Sequence, residues 1–314
     1  MIVVTGGAGF IGSNLIERLN QLGRSDILVV DNMTRPEKCR NLADLTIADY
    51  EHKTDFHELL CRRRFDRRVE VVYHQGACSD TMESDGRYMM HNNYTFSRDL
   101  CHWCLERHVP FVYASSAATY GNSRHCSEQP GAETPLNVYG YSKLAFDQHV
   151  RSLMPAARST LVGLRYFNVY GPREAHKGRM ASMIWQLYRQ LAQTGVAKLF
   201  CGTDGIADGE QERDFVYVRD VVNVNLHFGQ AEPRQCIVNV GTGVSRSFND
   251  IASTLIHLLG TGRIEYIPFP DSLLGKYQNY TCAEIDGLRS TGYDLPFETL
   301  ENGIKDYLCR IGTL

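Results

Sequence analysis

The chain has 314 residues, a net charge of -3 and a hydrophobic share of 43%, enough to build one large or two interleaved cores. The basic run Arg62-Arg63-Arg64 with Arg67-Arg68 is too short for a nucleic-acid face and reads as a solvated helix end. No apolar run nears the ~20 residues of a membrane span, and the chain opens on a strand rather than a secretory leader, so a soluble cytoplasmic protein with no membrane or nucleic-acid partner is expected.

Ile2-Val3-Val4 predicts a strand. Residues 10–22 predict a helix with Ile11, Leu15, Ile16, Leu19 and Leu22 on one face. Ile27–Val30 and Val69–Tyr73 predict further strands. Residues 93–107 predict a helix, Phe111–Ala114 a strand, residues 139–153 a helix and Leu161–Tyr166 a strand. This alternation implies an α/β fold, a Rossmann-type doubly wound parallel sheet with helices on both faces. Beyond about residue 168 glycine, proline and aspartate become more frequent. Residues 180–194 predict a helix and 201–213 a loop, which suggests a smaller α/β substrate-binding lobe. The expected division is 1–168, with part of 213–243 returning to it, against 169–212 and 244–314. The ten cysteines are scattered. The one Cys-x-x-Cys, Cys101 and Cys104, has no second pair at metal spacing and reads as buried thiols, so no metal is expected.

Thr5-Gly-Gly-Ala-Gly-Phe-Ile-Gly12 follows the first strand and opens the first helix. Gly6, Gly9 and Gly12 permit the tight turn and close backbone approach that a pyrophosphate needs, and the helix N-terminus offers it free N–H groups. Asp31 ends the second strand, where a ribose hydroxyl would lie. A carboxylate there favours NAD. Arg35, Lys38 and Arg40 follow closely and could hold a 2′-phosphate, so these residues leave NAD and NADP both open.

Tyr139 and Lys143 share one face of a predicted helix. A free tyrosine titrates near ~10, and a neighbouring ammonium would lower that value and suit the phenol to proton transfer. Taken alone, the pair reads as a solvated helix face. Ser115-Ser116 at the carboxyl edge of a predicted strand changes this, because open α/β sheets bind ligands there. Ser116 can hydrogen-bond the reacting oxygen. Tyr141 points elsewhere on the helix.

Thr5–Gly12, Ser116, Tyr139/Lys143, Arg165-Tyr-Phe-Asn-Val-Tyr-Gly-Pro-Arg173 and Arg213-Asp-Phe-Val-Tyr-Val218 together resemble the motif set of the extended short-chain dehydrogenase/reductases, which are sugar-nucleotide epimerases, dehydratases and reductases. Within that family the chain is more closely similar to the branch that epimerises ADP-heptoses at C6″. The telling segments are Gly76-Ala-Cys-Ser79, Tyr88–Asn93, Ala114–Gly121, Leu136–Lys143, His176-Lys-Gly178 with Met180–Ser182, and Tyr266–Asp271. The resemblance implies transient oxidation to a ketone and reduction from the opposite face with tightly held NADP, in the synthesis of a lipopolysaccharide core heptose. It also implies a homo-oligomer, commonly a pentamer.

The resemblance assigns the two proton-transfer groups to Tyr139 and Lys177; by itself Lys177 reads as a surface lysine. It implies cofactor contacts at Phe10, Ile11, Asp31, Asn32, Lys38, Lys53, Gly76, Ala77, Cys78, Ser79, Asn92, Lys143, Val169 and Lys177, with Lys38 and Lys53 favouring NADP. It implies substrate contacts at Ser116, Asn168, Ser182, Phe200, Gly202, Arg213 and Tyr277. The chain departs from the expected pattern at Gln75, Arg179, Gln186 and the 204–212 loop, which bears on sugar specificity. The rival activity is a UDP-hexose 4-epimerase using NAD, against which His176-Lys-Gly178 speaks. A 4,6-dehydratase would carry an acid pair where Ala117-Ala118 stand. A non-catalytic NAD(P)-binding regulator would usually have lost Tyr139 or Lys143.

Overall fold

The computed structural model describes residues 1–203, 205–270 and 278–314. Its strands are β1 (Ile2–Thr5), β2 (Ile27–Asp31), β3 (Asp49–His52), β4 (Val71–His74), β5 (Phe111–Ser116), β6 (Leu161–Tyr166), β7 (Asn168–Tyr170), β8 (Val196–Phe200), β9 (Glu212–Tyr217), β10 (Gln235–Val240), β11 (Ser245–Ser247) and β12 (Arg263–Ile267). Its helices are α1 (Phe10–Gln21), α2 (Lys53–Cys61), α3 (Gly86–Met90), α4 (Phe96–Glu106), α5 (Val138–Leu153), α6 (Met183–Thr194), α7 (Val218–Gln230), α8 (Phe248–Leu259), α9 (Asp286–Ser290) and α10 (Leu300–Arg310).

Seven parallel strands form one sheet in the order β10-β6-β5-β4-β1-β2-β3. Strands β1, β2, β4 and β6 are buried along their whole length, as expected for apolar runs covered by helices on both faces. On one face Leu15, Ile16 and Leu19 of α1 meet Val221, Val222 and Val224 of α7. On the other, Phe56 of α2, Leu100 and Trp103 of α4 and Phe146 of α5 close the second layer. Burying each such aliphatic or aromatic side chain contributes roughly 1.5–3 kcal/mol.

The second half builds a lobe around a three-stranded sheet, β11-β9-β7, and a two-stranded one, β12-β8. Ile184 and Leu187 of α6, Ile251 and Leu255 of α8 and Ile304 of α10 form its core. Each of these three helices starts on a hydroxyl cap, Ser182, Ser247 and Thr299 respectively, which satisfies a first-turn N–H. Helix α7 and strand β10, which fall between β9 and β11 in sequence, return to the large sheet and pack with it.

Several elements differ from their predicted extents. Strand β3 was not foreseen, because Asp49-Tyr-Glu-His carries no apolar run; it is an edge strand and needs none. The helix predicted from residue 93 begins at Gly86 and passes through a π turn, His91–Thr95, before α4. Strand β4 starts at Val71 rather than Val69. Leu22, expected on the core face, ends α1 and is 47% exposed. Cys101 and Cys104 are both fully buried free thiols, and burial pushes Cys101 up to about 12.

Candidate active site

A cleft of about 420 Å³ opens along the carboxyl ends of β1, β2, β4 and β5. Its floor is the loop between β1 and α1. Gly6 has φ +66°, and a Cβ there would come within 2.7 Å of the Gly76 backbone. A Cβ on Gly12 would collide with the Gly6 carbonyl oxygen. Both positions therefore require glycine. Gly9 caps α1 without a side-chain hydrogen bond, which leaves the helix's first N–H groups and its positive dipole end facing the cleft. This cradle fits a dinucleotide pyrophosphate.

At the adenosine end, Asp31 is 4% exposed and its carboxylate is already engaged. Oδ2 accepts from the Ala8 N–H at 3.0 Å; Oδ1 accepts from the Asn32 N–H at 2.7 Å and from Lys38 Nζ at 2.7 Å. The expectation that Asp31 repels a 2′-phosphate therefore meets a carboxylate neutralised by Lys38. Lys53 donates to Asn92 Oδ1 beside it, and Arg35 lines the same end. Burial, and then the neighbouring Lys38 charge, lower the Lys53 ammonium. The far wall, residues 76–79, is fixed by Asn93, whose Oδ1 accepts from the Cys78 N–H at 2.8 Å and whose Nδ2 donates to the Cys78 carbonyl at 2.9 Å.

At the reacting end, β5 delivers Ser116 and α5 delivers Tyr139 and Lys143. Asn137 caps α5, accepting from the Gly140 N–H at 2.8 Å, so Tyr139 falls in the first turn. Enclosure pushes the Tyr139 phenol above 10, while its hydrogen bond with Ser116 pulls the other way. The ammonium-driven lowering expected from the sequence is not what dominates: Lys143 Nζ donates to the Ala114 carbonyl at 2.7 Å. Burial lowers Lys143 to about 8, with Asp147 acting against it. Tyr141 is 53% exposed and outside the cleft.

Behind this pair lies a buried ion network. Asp147 accepts from Tyr113 Oη, Ser115 Oγ and Arg165 Nε, each at 2.9 Å, and Arg165 Nη2 reaches Glu133 at 2.5 Å. It locks α5 to β5 and β6. Sequence reading missed Asp147, since nothing local marks it.

The opposite wall carries Lys177, in the turn Ala175–Met180. Its Nζ lies 5.4 Å from the Phe10 ring centroid. Burial lowers this ammonium and Glu174 raises it. The turn is tied across the cleft mouth: Arg35 Nη1 donates to the His176 carbonyl at 2.8 Å, and Arg179 Nη2 to Asp80 Oδ2 at 2.9 Å.

All the residues proposed as catalytic line this cleft, as do the proposed cofactor contacts. Among the described residues, the proposed substrate contacts other than Ser116 lie outside its lining. Asn168 is exposed at the start of β7. Ser182 Oγ donates to Glu174 Oε1 at 2.7 Å and accepts from the Trp185 N–H. Phe200 packs edge-on against Phe269 at 5.3 Å, and the Gly202 N–H donates to Asp208 at 2.8 Å. Arg213 donates to the Glu212 and Gln278 carbonyls and lies 5.7 Å from the Phe248 ring. Tyr277, like Asp271 of the Tyr266–Asp271 segment and Asp204 of the 204–212 loop, lies outside the described residues.

The departures acquire local explanations. Gln75 Nε2 donates to Asn225 at 2.8 Å, while its Oε1 accepts from Tyr166 Oη at 3.0 Å, a pairing that uses both ends of the amide. Gln186 Nε2 donates to the Gly178 carbonyl at 2.7 Å and steadies the Lys177 turn.

Residues 2–241 match the model of the NAD dependent epimerase/dehydratase family. The chain belongs to this family. It is 55% identical over 308 residues to the ADP-L-glycero-D-manno-heptose-6-epimerase of Alkalilimnicola ehrlichii, covering 98% of this chain and 96% of that protein. Among solved structures, the ADP-L-glycero-D-manno-heptose-6-epimerase of Helicobacter pylori superposes with a TM-score of 0.87 at 34% identity, over 100% of this chain and 96% of that one. The UDP-glucose 4-epimerase of Thermus thermophilus in complex with NAD gives 0.79 at 26% identity, over 99% and 98%. Among the described residues no helix is long and apolar enough to cross a membrane.

Proposed function

We propose that this chain interconverts ADP-D-glycero-β-D-manno-heptose and its L-glycero epimer at C6″ with retained NADP. The observation that carries this reading is that Tyr139 and Lys177, from different elements, both line the cleft that holds the phosphate loop. An epimerisation that removes and returns hydrogen on two faces of one carbon needs a proton carrier for each face. The 55% identity to a heptose-6-epimerase supports the choice of sugar.

When bound in this cleft, the nicotinamide would supply a two-electron hydride carrier for C6″. Glycines 6, 9 and 12 and the α1 N-terminus hold the pyrophosphate. Lys38, Lys53 and Arg35 hold the 2′-phosphate, because Asp31 is neutralised from within. Lys143 donates to the ribose hydroxyls. Tyr139 and Lys177 exchange the C6″ hydroxyl proton, one on each face of the transient ketone, and Ser116 hydrogen-bonds the same oxygen on the Tyr139 side. Arg213, whose fork suits a pyrophosphate, Asn168, Ser182, Phe200, Gly202 and Tyr277 belong to the substrate lobe, 169–212 and 244–314. Residues 1–168, with part of 213–243, form the cofactor domain. We assign the enzyme to the cytoplasm, to lipopolysaccharide core heptose supply and to a homo-oligomer, a pentamer.

The test is chromatographic separation of the two ADP-heptoses after incubation with wild type, Tyr139→Phe and Lys177→Met. Each variant should lose roughly 10²–10⁴-fold in turnover, the usual worth of general acid–base catalysis, and still bind NADP. Unchanged turnover in either variant removes that residue from the mechanism. Conversion of UDP-glucose in place of the heptose would move the assignment to the 4-epimerases.

A further inference from the structure

Glu174 is a fully buried carboxylate that the reaction scheme leaves without a part. It sits at the start of the Lys177 turn, whose first backbone bond runs from the Lys177 N–H to the Glu174 carbonyl at 2.9 Å. In a 3₁₀ turn, residues three apart overlie one another, so the two side chains share a face. The carboxylate is held in place by donors from outside the turn. The Ser182 N–H and Oγ donate at 2.5 and 2.7 Å, and the Gly171 N–H at 3.2 Å. Tyr307 of α10 reaches it as well. Burial pushes this carboxyl above its usual range, and these donors act against that rise by favouring the ionised form.

Of the charged groups around Lys177, Glu174 acts to keep the ammonium protonated, against burial. Phe10 lies under it from α1. His176, its neighbour in the turn, is lowered to about 4 by burial and by Lys38, Lys177 and Arg35, and so stays neutral. The remaining groups touching Glu174 are the tyrosine of α10, the cap of α6 and the Gly171 N–H, all uncharged.

We propose that Glu174 is a positioning residue that holds Lys177 as a protonated ammonium, poised to give its proton to the sugar oxygen as hydride reaches C6″. In that step the Nζ–H bond breaks, the O–H bond forms, and Lys177 is left neutral beside the carboxylate. This deepens the epimerase reading and rests on it for the identity of the acceptor. The carboxylate–ammonium coupling can be measured without any substrate.

The experiment is an NMR titration of the lysine side-chain signals in the NADP-bound protein, with Lys177 assigned by its loss in Lys177→Met. A neighbouring opposite charge shifts a pKa by up to ~1–3 units, and Glu174 is not in direct ion-pair contact with Lys177, so Glu174→Gln should lower Lys177 by about 0.5–1 unit and Glu174→Asp should restore most of it. Should Glu174→Gln fail to fold, Lys177→Met gives the reciprocal reading: the Glu174 carboxyl must rise by a similar amount. In turnover, the alkaline limb of the kcat profile should move to lower pH in Glu174→Gln by the same shift, with KM little changed. A Lys177 value within about 0.3 unit of wild type in Glu174→Gln, or a Glu174 carboxyl unmoved in Lys177→Met, would reduce Glu174 to a cap for α6. A shifted Lys177 with an unmoved kcat limb would separate the coupling from the reaction and overturn the proposal. Absence of heptose turnover with the coupling intact would count against the epimerase reading instead.

Discussion

Replacing Lys38 with methionine should separate the two nicotinamide cofactors. In the structure Lys38 Nζ sits 2.7 Å from Asp31 Oδ1, and it is positioned to shield any phosphate from that carboxylate. Methionine keeps most of the stem and removes the charge. A hydrogen bond to a charged group is worth roughly 1.5–3 kcal/mol, and each 1.4 kcal/mol is about tenfold in affinity. NADP should thus bind roughly 10–100-fold more weakly, with exposure of the unneutralised Asp31 carboxylate pushing toward the upper end. NAD carries no 2′-phosphate and should change by less than about threefold. Titration calorimetry on protein stripped of cofactor reads both constants directly. Equal losses for the two cofactors would refute the reasoning, because Lys38 would then be holding the loop and not the phosphate.

Three further outcomes follow from the same geometry. Arg165→Met should destabilise the fold by about 3–5 kcal/mol in urea denaturation, since it leaves the buried Asp147 carboxylate without its cation, while Glu133 keeps Arg151; a loss under about 1 kcal/mol would mean that the network is not holding α5. Lys143, lowered to about 8, is protonated below that pH and offers its proton to the ribose; binding raises its pKa, so NADP affinity is fully present below about pH 8 and falls above it, by at most about tenfold per unit. Lys143→Met should bind more weakly but without this pH dependence, and a persisting slope would assign it to another group. Arg179→Ser removes an exposed ion pair to Asp80, worth ~0–1 kcal/mol, so stopped-flow release of NADP should quicken by no more than about fivefold with the unfolding midpoint unchanged; a much larger change would make the Arg179 bridge a principal clamp.

The parts of the site legible in the sequence were those whose chemistry is local. The glycine loop, the acidic end of β2 and the Tyr139/Lys143 spacing each sit within one strand–turn–helix unit, where residue type and spacing fix geometry. What the sequence hid depends on partners distant along the chain. Asp31 looked like a barrier to a 2′-phosphate until the Ala8 N–H and Lys38 were seen to occupy it. No local signal marks the bond from the Ser182 hydroxyl to Glu174. Asp147 and Arg165 meet only when β5, β6 and α5 come together. In the fold, the polar edge strand β3 and the π turn ahead of α4 escaped a reading based on apolar periodicity, because neither depends on it.

In the proposed reaction a retained cofactor takes hydride from C6″ and gives it back. The most direct test is proton NMR of the purified protein with ADP-D-glycero-β-D-manno-heptose in D2O, without added cofactor. The L-glycero epimer should appear with H6″ at full intensity, because the hydrogen never exchanges with solvent. Appearance of that epimer with deuterium at C6″ would contradict the proposed reaction, since the hydrogen would then have left as a proton.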